Sequence, residues 1–452
     1  MEPSDKKIEA VAAAEGQSTD TEIYVPESTR KNFSWVLSGN IIVQLSLFGV
    51  LMGLAKLGSA ELQGRFLLCL GIATPVAVFS SLGLRTLLVT DAEEQFSYYD
   101  YLYLRTALSA FGVIVCLLIG SYLVLRGSYD AGFLVALGLI GSYKAVDFVS
   151  DICYAVFQKK QQMKYMGISM SMKSAGALAV TITILFATKN LLAALFGWFA
   201  VYTVIMFLYD LRKARRFYPK PTEFSFSRSL TISKQAIPLV LVAGLLTLNS
   251  NINRYVIAGY CGEAELGYFG SISYGVSAMS LIFVAVGTAL LPKMADYFRT
   301  NPLYIWRVSA KAMLVVVGLG LLSFVVSLLV GRIALRIFFS EEHAAYVKVL
   351  WILMGGSAVL GMASVMGFAG TACRAFTPAI FVWLFVGCVT FFGSVILVPK
   401  YGIVGAAVAS IMSNVTAFVL MTALVAAYTW RRHIQLQNVS QEQSLSAAEM
   451  TR

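Results

Sequence analysis

Three ionisable side chains lie on one face of an otherwise apolar segment in the first third of the chain. Lys144, Asp147 and Asp151 occupy positions i, i+3 and i+7 of that segment. Because a helix turns by about 100° per residue, the three side chains share one face. Charged groups inside a membrane helix are costly, so they usually line a wet cavity or pair with one another. The pattern predicts either an internal Lys144–Asp147 ion pair or a cavity wall. On that wall Lys144 would contact phosphate, and Asp147 and Asp151 would take part in proton or cation coupling.

Three further basic residues, Arg85, Lys173 and Arg254, also lie within apolar segments. The planar guanidinium of arginine binds phosphate through two parallel N–H donors and stays charged when buried. Arg85 and Lys173 are close enough to a segment end for their side chains to reach the membrane surface instead. Together with Lys144, these residues are the candidates for binding a phosphate group.

Neutral polar residues form two further groups in apolar segments. Asn40 and Gln44 are spaced i, i+4 in the first segment, where they would face the interior of a helix bundle and contact sugar hydroxyls. Asn249 and Asn253 belong to a stretch that is too polar to face lipid, and part of that stretch must form hydrogen bonds between helices. All four are candidate polar residues of an internal cavity.

The segments that carry these residues have the length and composition of membrane-spanning helices. From Phe33 to Thr429 the chain is a series of apolar stretches of roughly 20 residues, the length that crosses the hydrocarbon core of a bilayer. The chain is 58% hydrophobic and 13% charged, and its mean hydropathy of +0.74 lies outside the usual range for a soluble domain. We predict an all-α polytopic membrane protein with twelve transmembrane helices, at residues 33–55, 66–89, 106–125, 132–157, 166–187, 190–209, 237–259, 268–291, 308–330, 347–371, 377–398 and 403–429.

The basic residues are distributed unevenly between the two sides of the predicted spans. When Lys311 and Lys348, which lie at span ends, are counted with the adjoining loops, 23 of the 35 lysines and arginines fall on the side of both termini, eight on the other side and four in span interiors. Because cytoplasmic loops carry the excess of positive charge, both termini are predicted to lie in the cytoplasm. The net charge of +11 then reflects membrane topology. Membrane lipids are therefore predicted as partners, and nucleic acid is not.

The longest and most basic connection divides the spans into two halves, with four basic residues between positions 210 and 216. The segments Leu57–Leu62 and Cys261–Leu266 are similar, and each follows the first span of its half. Parallel six-span repeats, related by a pseudo-two-fold axis along the membrane normal, typically enclose a substrate path between two bundles. We predict a disordered cytoplasmic tail at 1–32, six-helix bundles at 33–209 and 237–429, a basic cytoplasmic linker at 210–236 and a cytoplasmic tail at 430–452.

Several short motifs, taken in order along the chain, resemble those of polysaccharide flippases. They are Asn32-Phe33-Ser34-Trp35, Leu82-Gly83-Leu84-Arg85-Thr86, Asn253-Arg254-Tyr255 and the segment from Gly262 to Tyr268. On these motifs the chain is similar to the O-antigen or repeat-unit flippases (Wzx type) of the multidrug/oligosaccharidyl-lipid/polysaccharide exporter superfamily. In that family an acidic residue often precedes the arginine of span seven, whereas this chain has Asn253 there.

The resemblance implies a V-shaped, MATE-like pair of six-helix bundles in the bacterial plasma membrane. It implies a flippase that carries an undecaprenyl-pyrophosphate-linked oligosaccharide from the inner to the outer leaflet by alternating access. The product would be O-antigen and lipopolysaccharide, capsule or exopolysaccharide, and Arg85, Lys144, Lys173 and Arg254 would bind the pyrophosphate. The resemblance is also compatible with a polysaccharide polymerase and the chain-length machinery as partner proteins. No cofactor or metal is predicted.

Three alternatives share part of this pattern. A cation-coupled multidrug antiporter of the same superfamily would have acidic cavity residues without an excess of cations, but the span interiors here hold four cations and two acids. A membrane enzyme would need catalytic groups on the outer face, and the two histidines, His343 and His433, stand in no nucleophile–base arrangement. A lipid II-type flippase usually has two further spans. We therefore predict a transporter that is not an enzyme, with the multidrug antiporter as the alternative.

Overall fold

The computed structural model describes residues 28–91, 95–218 and 220–450, and over these ranges the protein is built from helices. A single π-helical turn, Met206–Asp210, interrupts the α-helical geometry. The α-helices are α1 (Thr29–Leu57), α2 (Ala60–Ser81), α3 (Leu84–Thr90), α4 (Tyr98–Leu125), α5 (Ala131–Lys159), α6 (Met163–Thr188), α7 (Leu191–Ile205), α8 (Leu211–Phe217), α9 (Phe226–Tyr260), α10 (Gly262–Thr300), α11 (Tyr304–Phe338), α12 (Glu341–Ala345), α13 (Val347–Ala372), α14 (Phe376–Tyr401) and α15 (Ile403–Met450).

These helices confirm the predicted membrane-spanning fold. Eleven helical segments of the described chain are long and apolar enough to cross a bilayer. Helix α9 supplies the twelfth when its two arms, Phe226–Ile237 and Val240–Tyr260, which meet at 59°, are counted as one span. Helices α2 and α3 together form one span, and α7 and α8 form another with the π-helical turn between them. Each of the twelve predicted spans falls on one of these segments.

Successive spans run in opposite directions, so the helix ends form two faces. We call the face where α1 begins the terminal face, and the face where α1 ends the opposite face. Short turns join the spans. At the opposite face Ser59 caps α2, because its side chain accepts a hydrogen bond from the Leu62 N–H. At the same face the Asp130 side chain caps α5 by accepting from the Phe133 N–H. These caps satisfy backbone donors at the start of each helix.

The spans pack as two bundles. In the first bundle α1 lies along α6, α6 along α7, and α4 along α5. In the second bundle α13 is central and packs against α10, α11 and α15, while α14 packs against α9 and α15. Helix α2 belongs to the first bundle but also packs against α9 and α10 of the second. The two bundles therefore meet mainly along α2.

Polar contacts close the gap between the bundles near the opposite face. Arg65 Nε lies 3.1 Å from a carboxylate oxygen of Glu263. His343 Nε2 lies 3.1 Å from Oε1 of the buried Gln63. Each contact joins α2 to the second bundle. The space between the bundles is therefore closed at the opposite face.

The basic connection between the bundles is largely helical. Residues 210–236, predicted as a linker, include α8 and most of the first arm of α9. Ile232 and Ala236 of that arm pack with Leu84 on the first bundle. The chain therefore passes between the bundles as helices that extend the spans on either side.

Helices extend into both segments that were predicted as tails. The chain predicted as a tail from residue 430 continues α15 as far as Met450. At the other end α1 begins at Thr29, and the predicted tail before residue 28 lies outside the described residues.

Candidate functional site

A cavity of about 570 Å³ lies within the first bundle, in the half of the bundle nearer the terminal face. Helices α1, α3, α5, α6 and α7 form its wall. Seven of the ten candidate residues line it, namely Asn40, Gln44, Arg85, Lys144, Asp147, Asp151 and Lys173. The fold thus brings most of the predicted site into one space, although these residues lie on four separate helices.

A break in span two directs Arg85 into this cavity. Leu82 and Gly83 have φ values of 49° and 64°, which ends α2 and separates it from the short helix α3. The left-handed region is readily available to glycine, whereas for leucine it is strained. The Arg85 side chain then reaches α5, where Nη1 lies 2.8 Å from Asp151 Oδ1 and Nη2 donates to Gln158 Oε1 at 3.0 Å. Arg85 is therefore held by an acid and an amide, and 31% of its side chain is exposed.

Asp151 has a second basic neighbour. Arg105 of α4 places Nη2 3.7 Å from Asp151 Oδ2, and its side chain is only 1% exposed. Its Nε and Nη1 atoms have no hydrogen-bond partner among the described residues. Sequence reasoning missed Arg105 because the third span was predicted to begin at residue 106. The sequence signal for the true start of this helix was the pair Ser97 and Asp100. The two residues form a capping box, and α4 therefore begins eight residues before the predicted start.

Lys173 lies in the cavity wall but is bound in a buried ion pair. Its Nζ lies 2.5 Å from Asp210 Oδ2 and 2.5 Å from Ser150 Oγ, and 3.4 Å from the Tyr154 hydroxyl. The Lys173 and Asp210 side chains are 1% and 0% exposed. Asp210 was predicted as the first residue of the linker, but the π-helical turn carries it into the bundle. Such turns shift the register of a helix and are frequent at functional sites.

Lys144 and Asp147 do not form the ion pair that was one of the two predicted possibilities. Among the described residues neither side chain has a salt-bridge partner, although Asp147 lies within the electrostatic field of both Lys144 and Lys173. The Lys144 ammonium group lies 5.0 Å from the centre of the Tyr143 ring. Lys144 and Asp147 are thus charged groups on the cavity wall that remain available to a ligand.

Asn40 and Gln44 line the cavity on α1. The Asn40 amide donates to the Val36 carbonyl at 2.9 Å, so its side-chain oxygen is left for other partners. Gln44 Oε1 lies 2.7 Å from the hydroxyl of Tyr274, which belongs to α10. Gln44 therefore joins the cavity wall to the second bundle.

Asn249 and Asn253 lie in a different cavity, of about 550 Å³, within the second bundle. Thr390 Oγ1 lies 2.7 Å from Asn249 Oδ1, and the Asn253 amide donates to Ser410 Oγ at 2.7 Å. The Ser394 hydroxyl also donates to the Asn253 carbonyl oxygen. These bonds join α9 to α14 and α15, as expected for polar groups between membrane helices. The residues that line this cavity include no charged side chain.

Arg254 stands apart from both cavities. Its Nη1 donates to Asn251 Oδ1 at 3.0 Å, and its side chain lies against Gly71 of α2, where the bundles meet. The four basic residues predicted to bind pyrophosphate therefore do not share one space in this structure. Three of them, Arg85, Lys144 and Lys173, line the cavity of the first bundle. The described residues contain no group of three or more His, Cys, Asp or Glu side chains that could hold a metal ion.

The chain is similar to proteins of known families. A family model described as polysaccharide biosynthesis protein matches residues 29–298, more than half of the chain. The capsular polysaccharide biosynthesis protein CapF of Staphylococcus aureus is 24% identical over 398 residues, which cover 86% of this chain and 97% of CapF.

Solved structures share the fold. The lipid II flippase MurJ in an inward closed conformation has a TM-score of 0.68 at 11% identity, covering 91% of this chain and 93% of that chain. An inward-facing multidrug resistance MATE family transporter of the MOP superfamily has a TM-score of 0.66 at 13% identity, covering 88% and 98%. The predicted resemblance and fold class are thereby confirmed. The chain belongs to the polysaccharide biosynthesis protein family, and it has the multi-pass membrane fold of the MurJ and MATE structures.

Proposed function

We propose that this transporter is a flippase for an undecaprenyl-pyrophosphate-linked oligosaccharide. It moves the repeat unit from the inner to the outer leaflet of the bacterial plasma membrane by alternating access. The terminal face is cytoplasmic, as the excess of basic residues on that side suggests. The repeat unit then enters the assembly of O-antigen, capsule or exopolysaccharide, where a polymerase and chain-length machinery act on it.

The observation that carries this proposal is the cationic cavity of the first bundle. Lys144 has no ion-pair partner there among the described residues, and Arg85, which lines the same cavity, is partly exposed. A diphosphate needs such groups, because an anion taken out of water must be paired to be tolerated in a low-dielectric interior. Arg85 supplies a planar guanidinium and Lys144 a compact charge, a combination that suits phosphate oxygens.

The membrane potential favours export of such a substrate. With the cytoplasm negative, each negative charge moved outward gains about 2.3 kcal/mol per 100 mV. Asp147, which has no ion-pair partner among the described residues, is the candidate site for a coupled proton or cation, and Asp151 contributes once it leaves Arg85. The names of the similar proteins support the substrate class, since one is a capsular polysaccharide biosynthesis protein and the other a lipid II flippase.

Leaflet-resolved labelling of undecaprenyl-linked glycan in cells with and without this gene tests the proposal. Loss of the gene should leave the glycan on the inner leaflet. Wild-type protein should restore outer-leaflet glycan, whereas Lys144→Ala should not, at equal abundance in the membrane. Lys311→Ala is the matched control, because Lys311 is an exposed lysine of the second bundle outside both cavities. Normal export by Lys144→Ala would contradict the proposal that the cavity of the first bundle binds the diphosphate.

A cation-coupled multidrug antiporter is the second candidate. The uncharged cavity of the second bundle and the likeness to MATE transporters favour it. It predicts that deleting the gene leaves the glycan distribution unchanged and alters the efflux of a cationic dye. The same cells serve for both measurements.

A further inference from the structure

The two cavities of this transporter differ in chemistry. Five charged side chains line the cavity of the first bundle, and none lines that of the second. The wall of the second cavity combines aromatic rings with hydroxyl and amide groups drawn from α9, α10, α13, α14 and α15. Such a wall, mostly apolar with a few polar groups, is typical of a site for a small neutral ligand.

Three polar groups on this wall have no partner among the described residues. They are the Ser364 hydroxyl on α13, the Trp383 indole N–H on α14 and the Asn414 amide on α15, and all three side chains are partly exposed to the cavity. Other polar groups of the wall are already bound, as Asn253 is to Ser410. Three helices therefore present unpaired donors and acceptors to the same space.

The substrate proposed above has three parts, and only one of them needs this wall. The prenyl chain is already dissolved in the bilayer, where lipid tails solvate it as well as apolar side chains would. The diphosphate requires positive charge, which this cavity lacks. The glycan is rich in hydroxyl groups, which lose hydrogen bonds to water unless the protein replaces them. Aromatic side chains add apolar surface that suits the C–H face of a sugar ring.

We propose that the cavity of the second bundle binds the glycan, with Ser364, Trp383 and Asn414 as its hydrogen-bonding groups. This inference rests on the proposed flippase function. The first bundle then holds the diphosphate and the second holds the sugars, so the substrate bridges both bundles. A bridging ligand couples the movement of one bundle to that of the other.

The test compares two substrates in vesicles containing the purified transporter. One is the complete lipid-linked repeat unit extracted from the host, and the other is undecaprenyl diphosphate that carries only its first sugar. The Trp383→Leu/Asn414→Ala variant should flip the complete unit about tenfold more slowly, since two hydrogen bonds are lost, and flip the one-sugar substrate at the wild-type rate. Thr416→Ala is the control and should change neither rate, because this partly exposed residue of α15 lines neither cavity and its hydroxyl donates to the Met412 carbonyl.

Each outcome decides whether the cavity of the second bundle binds the glycan. An equal loss for both substrates would overturn the glycan assignment and indicate a site for the prenyl chain. An unchanged rate for the complete unit would also overturn it. If wild-type protein flips neither substrate, the proposed function itself fails, and that result is distinct from the other two.

A second inference concerns Asp151, which lies between two arginines. It is 2.8 Å from Arg85, whose side chain is partly exposed, and 3.7 Å from Arg105, whose side chain is buried and has two nitrogen atoms without partners among the described residues. A diphosphate that binds Arg85 must displace Asp151. Without Arg105, the displaced carboxylate would stay partly buried and unpaired, which is strongly unfavourable.

We infer that Asp151 moves from Arg85 to Arg105 when an anion binds Arg85. Arg105 is thus a positioning residue: it does not touch the substrate, but it receives the acid that the substrate displaces. The free N–H groups of Arg105 and its short distance from Asp151 allow this exchange without a large rearrangement.

Binding of inorganic pyrophosphate to the purified transporter tests the exchange. Arg105→Gln should weaken binding about tenfold, within the range for residues in one charge network. Arg105→Gln/Asp151→Asn should restore binding at least to the wild-type level, because no displaced carboxylate remains. If the double variant binds as weakly as Arg105→Gln, or if Arg105→Gln binds like wild type, the exchange does not occur. Thermal unfolding of each variant separates loss of binding from loss of fold.

Discussion

Two lysines line the same cavity, yet their surroundings give them different tasks. Lys173 is 1% exposed and bound to Asp210, while Lys144 has no ion-pair partner among the described residues. A buried ion pair is weak evidence for stability as such, but removing one partner leaves an uncompensated buried charge. Lys173 therefore serves mainly to hold the π-helical turn of span six against α6, and Lys144 is free to bind a ligand.

The difference between the lysines predicts that replacing Lys173 lowers the stability of the protein and that replacing Lys144 does not. Lys173→Met should destabilise the transporter by about 3–5 kcal/mol, because Asp210 stays buried without its partner. The double variant Lys173→Met/Asp210→Leu should recover most of that loss, and Lys144→Met should unfold like wild type. Thermal unfolding of purified protein in detergent measures all three. A Lys173→Met variant as stable as Lys144→Met would show that the ion pair does not hold the turn.

The sequence predicted the charged face of span four but not the partners of its residues. Lys144, Asp147 and Asp151 share a face because a helical period places them there. Asp210 and Arg105 lie just beyond the apolar stretches, where a polar residue is as easily part of a connection. Their burial depends on a π-helical turn and a capped early helix start, which are set by packing against other helices. Pairings between residues far apart in the chain, such as Arg85 with Asp151, leave no periodic signal.

Among the helices, α2 has the closest contact with the second bundle. A Cβ atom built on Gly64 would overlap the backbone carbonyl of Glu263 on α10, and one built on Gly267 of α10 would overlap the carbonyl of Ala60. Two glycines, one on each helix, thus allow the backbones to touch near the opposite face. Small residues are the usual means of such close approach between membrane helices.

This close approach predicts that a side chain at Gly64 prevents closure of the opposite face. Gly64→Val should weaken the closed arrangement by about 1–3 kcal/mol, because backbone atoms must move apart. Export of undecaprenyl-linked glycan should fall while the protein still reaches the membrane at normal abundance. Gly259→Val is the control, because a Cβ there meets no atom within 4 Å. Equal export by the two variants would argue against a functional contact between α2 and α10.

The positions of the spans were predictable from hydropathy, but their breaks were not, although Pro238 marks the bend of α9 in the sequence. Apolar length and loop charge are local properties of the sequence, and every predicted span corresponds to a helical segment. The break at Leu82 and Gly83 and the 59° bend of α9 re-aim side chains within single apolar stretches. Apolar composition continues through both breaks, so hydropathy alone could not locate them. The packing of α3 and of the first arm of α9 on the first bundle stabilises these directions.

At the scale of the whole molecule, the contacts between bundles lie mostly near the opposite face. Gln63 and Arg65 of α2 bind His343 and Glu263 of the second bundle, and Tyr274 binds Gln44 deeper in the membrane. The proposed alternating access requires these contacts to break when the opposite face opens. Their strength therefore sets the balance between the two proposed states, and one of them involves a histidine.

The titrating contact is that of His343, which lies on α12, between two spans. Burial lowers its pKa to about 4, and the nearby charge of Glu342 opposes the shift only in part. Its ring stacks on Phe339 and meets the edge of Tyr268, and its Nδ1 lies 2.8 Å from Ser340 Oγ. In an open state the exposed imidazole would have an ordinary pKa of about 6.5. The closed state thus holds a neutral imidazole, and the open state binds a proton at mildly acidic pH.

The sign of the pH dependence follows from this difference. Above pH 7 neither state is protonated, so the balance does not depend on His343. As the pH falls from about 6.5 towards 4, only the open state gains a proton. The closed state is therefore destabilised relative to the open state by about 1.4 kcal/mol per pH unit. At pH 5 the open fraction should therefore rise roughly tenfold or more over that at pH 7.5. Distances between spin labels at two exposed positions on the opposite face, Arg126 and Tyr401, measure the two populations. His343→Gln, which keeps a polar group but cannot titrate, should lose the shift between pH 7.5 and 5, and a shift that survives in this variant would place the titrating group elsewhere.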